Sequence, residues 1–259
     1  MYKTCLFIII LTVSACSHPP QKNTTPNDTH TKDHIALAIS AADRTADDTI
    51  RDARSRPDVT LAMLDIGPGD VVFDVFGGAG YYSELIARVV GEDGKVFLHN
   101  NQAYLDFVKV PLEQRMNNIK LPQVIQHDRE VSDMDIPTES IDAAMIIMSY
   151  HDLFYDDPQN SWPQIDHKSF IQQIHTGLKK GGKFMIVDHQ ANSGRQAMDS
   201  QSLHRIEKNY AIERIETLGF KLVAESAVLS NPNDDKNSSV FTPDNRGKTD
   251  RFIIVFEKQ

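Results

Sequence analysis

Five residues with a single charge among them, Val71-Val-Phe-Asp-Val75, run almost directly into Gly77-Gly-Ala-Gly80, and an amphipathic stretch, residues 81–90, follows. An apolar run this short, bounded by turn residues, reads as a strand buried on both faces, as strands are in a parallel sheet covered by helices. Glycines at 78 and 80 let the chain turn tightly and bring its backbone close to whatever lies beyond the strand end. Strand, glycine turn and helix in that order form the first unit of a doubly wound α/β sheet.

The rest of the chain repeats the unit. Residues 95–99, 123–126, 141–148 and 183–187 read as further strands, and two more lie near 220–229 and 251–256. Helical periodicity covers about 103–117, 169–178 and 203–218, while 35–64 is helical with breaks near Asp43 and Pro57. The expected fold is a Rossmann-like, doubly wound, seven-stranded sheet with an antiparallel last strand and a helical N-terminal extension. Of 259 residues, 35–259 suit one such domain. Ligands of open α/β sheets bind beyond the carboxyl ends of the strands, so residues just after each strand carry the functional information.

The first residues read as an address. Lys3 precedes an apolar run over 6–13, which is far short of the ~20 residues needed to span a bilayer, so 1–15 is expected to be a signal peptide. Val13-Ser-Ala-Cys16 resembles the lipobox of bacterial lipoproteins. That resemblance implies cleavage before Cys16, palmitate-type acylation of Cys16, and a chain held to a membrane facing the periplasm. Ser17, where an inner-membrane retention signal typically has Asp, favours the outer membrane. Residues 16–34 contain three prolines and no aromatic residue, and read as a disordered tether. Cys5 would leave with the signal. With 27 basic against 36 acidic residues, a net charge of −9 and no Lys/Arg cluster, a nucleic-acid partner is not expected; a small-molecule substrate is. Nothing in the sequence bears on oligomeric state.

Asp74 with Gly78 and Gly80 resembles the first motif of class I S-adenosylmethionine-dependent methyltransferases, with Phe76 where the first glycine often stands. A dinucleotide fingerprint would need a third glycine where Ser83 stands, which counts against a nicotinamide cofactor. Gln126-His-Asp128, Glu139-Ser-Ile-Asp142 and the turn at 178–187 resemble later segments of the same family, so the likeness spans about 71–188. Ala42-Asp-Arg44, Asp188-His189, His204-Arg-Ile206 and residues 247–252 resemble, more narrowly, a group of exported bacterial predicted methyltransferases. The resemblance implies S-adenosylmethionine as cofactor, held at Asp74, Gly78 and Gly80, with Asp128 near the adenine. The family's acidic residue after strand two is absent; Asn100 and Asn101 stand there, as a neutral substitute or as a simple turn.

His151, in Ser149-Tyr-His-Asp152 after strand four, is the leading base candidate because an unperturbed imidazole titrates near neutrality. His189 after strand five is the second. Tyr150, Asp152, His204, Arg205 and Arg251 are candidates for the substrate side, with His204-Arg205 expected to open a helix; gathered in one pocket, the three histidines and two arginines would suit an anionic or phenolic substrate. No His or carboxylate spacing points to a metal. Trp162 sits on a loop, 156–166, long enough for a lid, and the polar segment 230–248 either shapes the pocket or decorates the surface. The expected function is methyl transfer to a small molecule. The alternative is an exported, inactive binding or scaffold protein, since the cofactor is made in the cytoplasm and the address points outward.

Overall fold

The structure, a computed structural model, describes residues 28–259; the signal, Cys16 and most of the tether lie outside the described residues. Seven strands form one sheet: β1 (Val71–Val75), β2 (Lys95–Asn100), β3 (Val124–Asp128), β4 (Ile141–Ile147), β5 (Leu178–His189), β6 (Phe220–Ser226) and β7 (Arg251–Lys258). Their order is β3-β2-β1-β4-β5-β7-β6. The first five run parallel, and β7 is antiparallel to both β5 and β6.

Alternation along the strands builds two cores. Phe73, Val75, Phe184, Ile186, Ile254 and Phe256 point to one face, and Val72, Met185, Val187, Ile253 and Val255 to the other, because successive side chains leave a strand on opposite sides. Helices α1 (Asp28–Ile39), α3 (Pro57–Leu64) and α4 (Tyr81–Val90) cover the second face. The first is covered by α6 (His167–Gly177) and α8 (Lys208–Glu216). Two further helices, α2 (Ala46–Ser55) and α5 (Gln102–Asn118), flank the carboxyl end of the sheet, and α7 (Ser200–Leu203) is a single turn.

The N-terminal extension breaks where its residues dictate. Thr45 caps α2 by accepting from Asp48 N, and α2 ends at Arg56, in the left-handed region at φ 45. Pro57 then opens α3; a proline disfavours a helical residue before it but fits the first turn of a new helix. Helix α1 starts at Asp28, inside the segment read as a tether. The expected single helix over 203–218 is two. His204, at φ 55, ends α7, and Ile206 pairs with Gln190 before α8 begins. The turn expected at 179–182 lies within β5, where its pairing with β4 shifts register. Among the described residues no helix is long and apolar enough to cross a membrane.

Strands β2 and β4 leave β1 on opposite sides, so the chain reverses its winding there. The loops after β1 and β4 therefore open away from one another and leave a crevice at the carboxyl ends of the strands, with the end of β5 beside it.

Candidate active-site cleft

That crevice is a cleft of about 640 Å³, lined by the 77–79 loop, by Met148, Ser149, His151 and Asp152 after β4, by His189, and by Tyr104, Phe107 and Val108 of α5. Trp162, His204, Val240 and Phe241 close its outer side.

The glycine loop is pinned from below. Gly77 N donates to His99 O at 2.9 Å. Asn100 clamps Gly78, accepting from its N at 3.0 Å and donating to its O at 3.0 Å. Gly78 sits at φ +60, and a Cβ there would meet nothing nearer than Val108 at 3.9 Å, so its upper side is open. Gly80, at φ +81, differs: a Cβ would strike Leu98 Cδ1 at 2.7 Å and Arg115 Cδ at 3.2 Å. It serves packing and does not line the cleft. Asp74 lies beneath the loop, accepting from Ser83 Oγ at 2.6 Å. Burial pushes its carboxyl up to about 6 in spite of that hydrogen bond.

The histidines differ in state. His151 Nδ1 lies 2.8 Å from Asp188 Oδ1 and its Nε2 3.2 Å from Asp152 Oδ1. Burial opposes its charge, but the two carboxylates overcome it and push the imidazole up to about 10. His151 is therefore an imidazolium at neutral pH and no base, which corrects the expectation from its unperturbed pKa. His189, whose ring centre is 5.9 Å from that of His151, is pushed well below its usual pKa by burial and by the charges of His151, Arg251 and Arg205, against a smaller opposing pull from Asp152. It is a neutral imidazole, with Nδ1 at 2.7 Å from Thr249 Oγ1. His151, Asp152 and His204 each bring one donor atom within 4.8 Å of the others, a grouping close enough for a cation that the sequence spacing did not suggest. Within that grouping His151 Nε2 and Asp152 Oδ1 face each other at 3.2 Å.

Three non-glycine residues that line the cleft, Phe76 (φ 50), Met148 (φ 54) and His204 (φ 55), stand in the left-handed region. Each such residue costs of order 1–3 kcal/mol, and strain of this kind gathers at functional sites.

Other candidates lie elsewhere. Asn100 is buried on the loop, and Asn101 caps α5 by accepting from Tyr104 N at 3.0 Å, so neither amide faces the cleft. Asp128 is exposed and accepts from Gln126. Tyr150 is fully buried in the core with its hydroxyl 2.7 Å from His167 Nε2. Arg205 does not open a helix; it is fully buried, with its guanidinium on Asp234 at 2.7 and 3.0 Å. Arg251 faces a neighbouring cavity. The loop with Trp162 is anchored, its Nε1 donating to Asp152 O at 3.2 Å. Sequence reasoning missed Tyr104, whose hydroxyl lies 2.5 Å from Ser149 Oγ and 2.9 Å from Asp152 Oδ2, and Arg51 of α2, which reaches the cleft. No local motif marks either one, because tertiary packing brings them in.

This is the class I methyltransferase fold, shared with solved structures across nearly the whole described chain. An S-adenosylmethionine-dependent methyltransferase from Aquifex aeolicus superposes with a TM-score of 0.59 at 16% identity, covering 88% of this chain and 98% of its own. A second, from Methanosarcina mazei, gives 0.52 at 12%, covering 74% and 94%. The [4+2]-cyclase SpnF gives 0.52 at 12%, covering 90% and 94%. No family model and no curated protein matches the chain. Likeness at this level of identity shows the fold, and the fold hosts more than one reaction.

Proposed function

We propose that the protein is an S-adenosylmethionine-dependent methyltransferase acting on a small molecule in this cleft. One observation carries the reading: the open side of Gly78 faces the same cavity as His151, Asp152 and His189. The residues fit the cofactor at the loop, where Gly78 admits close approach, and at the apolar shelf of Phe107 and Val108, suited to a flat ring. They depart from the family's pattern after β2, where Asn100 is committed to Gly78.

Bound there, the cofactor would supply an electrophilic methyl group. The chain's own part is to position the acceptor and take its proton. Neutral His189 is the proton acceptor. Its environment is set by His151, Asp152, Arg251 and Arg205, with Thr249 on its other nitrogen. His151 is a positioning residue: held between Asp188 and Asp152, it fixes Asp152 facing Tyr104 and the cleft. A membrane tether through an acylated Cys16 belongs to the same proposal, and Cys16→Ser should move the protein from the membrane to the soluble fraction.

Calorimetry with S-adenosylhomocysteine tests the cofactor assignment. Wild-type protein should bind, and Gly78→Val should weaken binding at least about tenfold, a loss of about 1.4 kcal/mol. Absence of binding to the wild type would favour the second reading, an exported binding protein on the same fold. The engagement of Asn100, which ties the amide after β2 to the backbone of Gly78, is the observation that supports that reading.

A further inference from the structure

Beside the cleft lies a second cavity of about 390 Å³, and the two share Arg51, Met148, His189, Val240 and Phe241 as a common wall. Four arginines line it: Arg51, Arg54, Arg246 and Arg251. In a chain with a net charge of −9, such a concentration of guanidinium groups calls for a counter-charge, yet none of the four pairs with a carboxylate among the described residues.

The nearby acids are already engaged. Asp52 takes both Nη atoms of Arg44, at 2.6 and 2.8 Å, and the hydroxyl of Tyr81 at 2.6 Å. Asp48 takes Arg115 at 2.8 and 2.9 Å. Asp250 faces Lys236 at 3.1 Å and accepts from Ser230 at 2.9 Å, and Asp188 holds His151. Arg51 lies 4.0 Å above the ring of Tyr81 and reaches Ser55 Oγ at 3.4 Å. Arg251 is 91% buried, since only 9% of it is exposed, and it donates through Nη2 to Arg54 O at 2.7 Å while its Nε has no partner. Buried cationic groups without partners are costly unless something satisfies them, and forked guanidinium groups match carboxylate and phosphate oxygens.

We propose that this cavity binds an oxyanion, carboxylate or phosphate, carried by the substrate, whose apolar body occupies the adjoining aromatic cleft. Assigning the anion to the substrate rests on the methyl-transfer reading; the anion site itself does not.

The test uses the full chain, with calorimetry against phenyl phosphate, phenylacetate and inorganic phosphate, and chloride as control at matched ionic strength. Arg54→Gln with Arg246→Gln alters two exposed side chains, so folding is not at stake, and Arg251→Gln is added where circular dichroism shows it folded. At least one aromatic oxyanion should bind, and the double variant should weaken it about tenfold or more, with S-adenosylhomocysteine affinity unchanged. The relative affinity for phenyl phosphate and phenylacetate distinguishes phosphate from carboxylate. No oxyanion binding, or equal binding in the variants, overturns the site. Parallel loss of S-adenosylhomocysteine would assign the arginines to the cofactor and overturn the substrate assignment. Oxyanion binding without any S-adenosylhomocysteine binding supports the site and removes the methyl-transfer reading alone.

Discussion

Two imidazoles with ring centres 5.9 Å apart have their pKa values pushed in opposite directions in this cleft. The difference lies in their neighbours: His151 has two carboxylates within 3.2 Å, and His189 has a hydroxyl and nearby cations. Residue identity alone made His151 the leading base candidate; local electrostatics protonate it and leave His189 unprotonated. Asp74 shows the same dependence in a form that can be measured. Its carboxyl is near 3.8 unperturbed and about 6 when folded, because it is buried. Below about pH 4 both states hold the proton, and above about pH 6 both have lost it. In between, the folded chain binds more protons, so stability falls as pH rises, by up to about 3 kcal/mol. Asp74→Asn removes this component, and urea unfolding at a series of pH values should show the variant more stable than the wild type above pH ~6. A variant no more stable at pH ~7 would place the carboxyl back near its ordinary value.

At the scale of the element, the strand–loop–helix unit was legible because strand and turn chemistry are local. The roles of its glycines were not. Both Gly78 and Gly80 stand at positive φ, but only at Gly80 does a side chain collide with Leu98 and Arg115. Gly80→Ala should cost about 2–4 kcal/mol, combining left-handed strain with overpacking, and Gly78→Ala only the strain, about 1–2 kcal/mol. Urea denaturation of the two variants side by side checks the order; equal losses would mean that Leu98 and Arg115 yield easily. The break between α7 and α8 escaped sequence reading for a related reason. Ile206 is drawn into a bridge with Gln190, and Arg205 into the interior, against a pattern that by itself continues as a helix.

Across the whole molecule, the buried Arg205–Asp234 pair ties the segment 230–248 to the sheet, with Asp234 also accepting from Asp250 N at 2.6 Å. That segment delivers Val240 and Phe241 to the cleft and Arg246 to the arginine cavity. Arg205→Met would strand the Asp234 carboxylate, with an expected loss of about 3–5 kcal/mol and faster proteolysis within 230–248; an unchanged unfolding midpoint would show that water reaches Asp234. The sequence by itself determined the sheet, its winding and the crevice, because apolar runs, glycine turns and helical periodicity act over a few residues, and the winding of parallel strands follows from chirality. Only the tertiary structure decided which polar groups face that crevice. Asn100, Tyr150 and Arg205 turned inward to the backbone of Gly78, to His167 and to Asp234, while Arg51 and Tyr104 arrived from elements far apart in the chain. Such choices depend on which partner is within reach once the core has closed, and local spacing does not encode that.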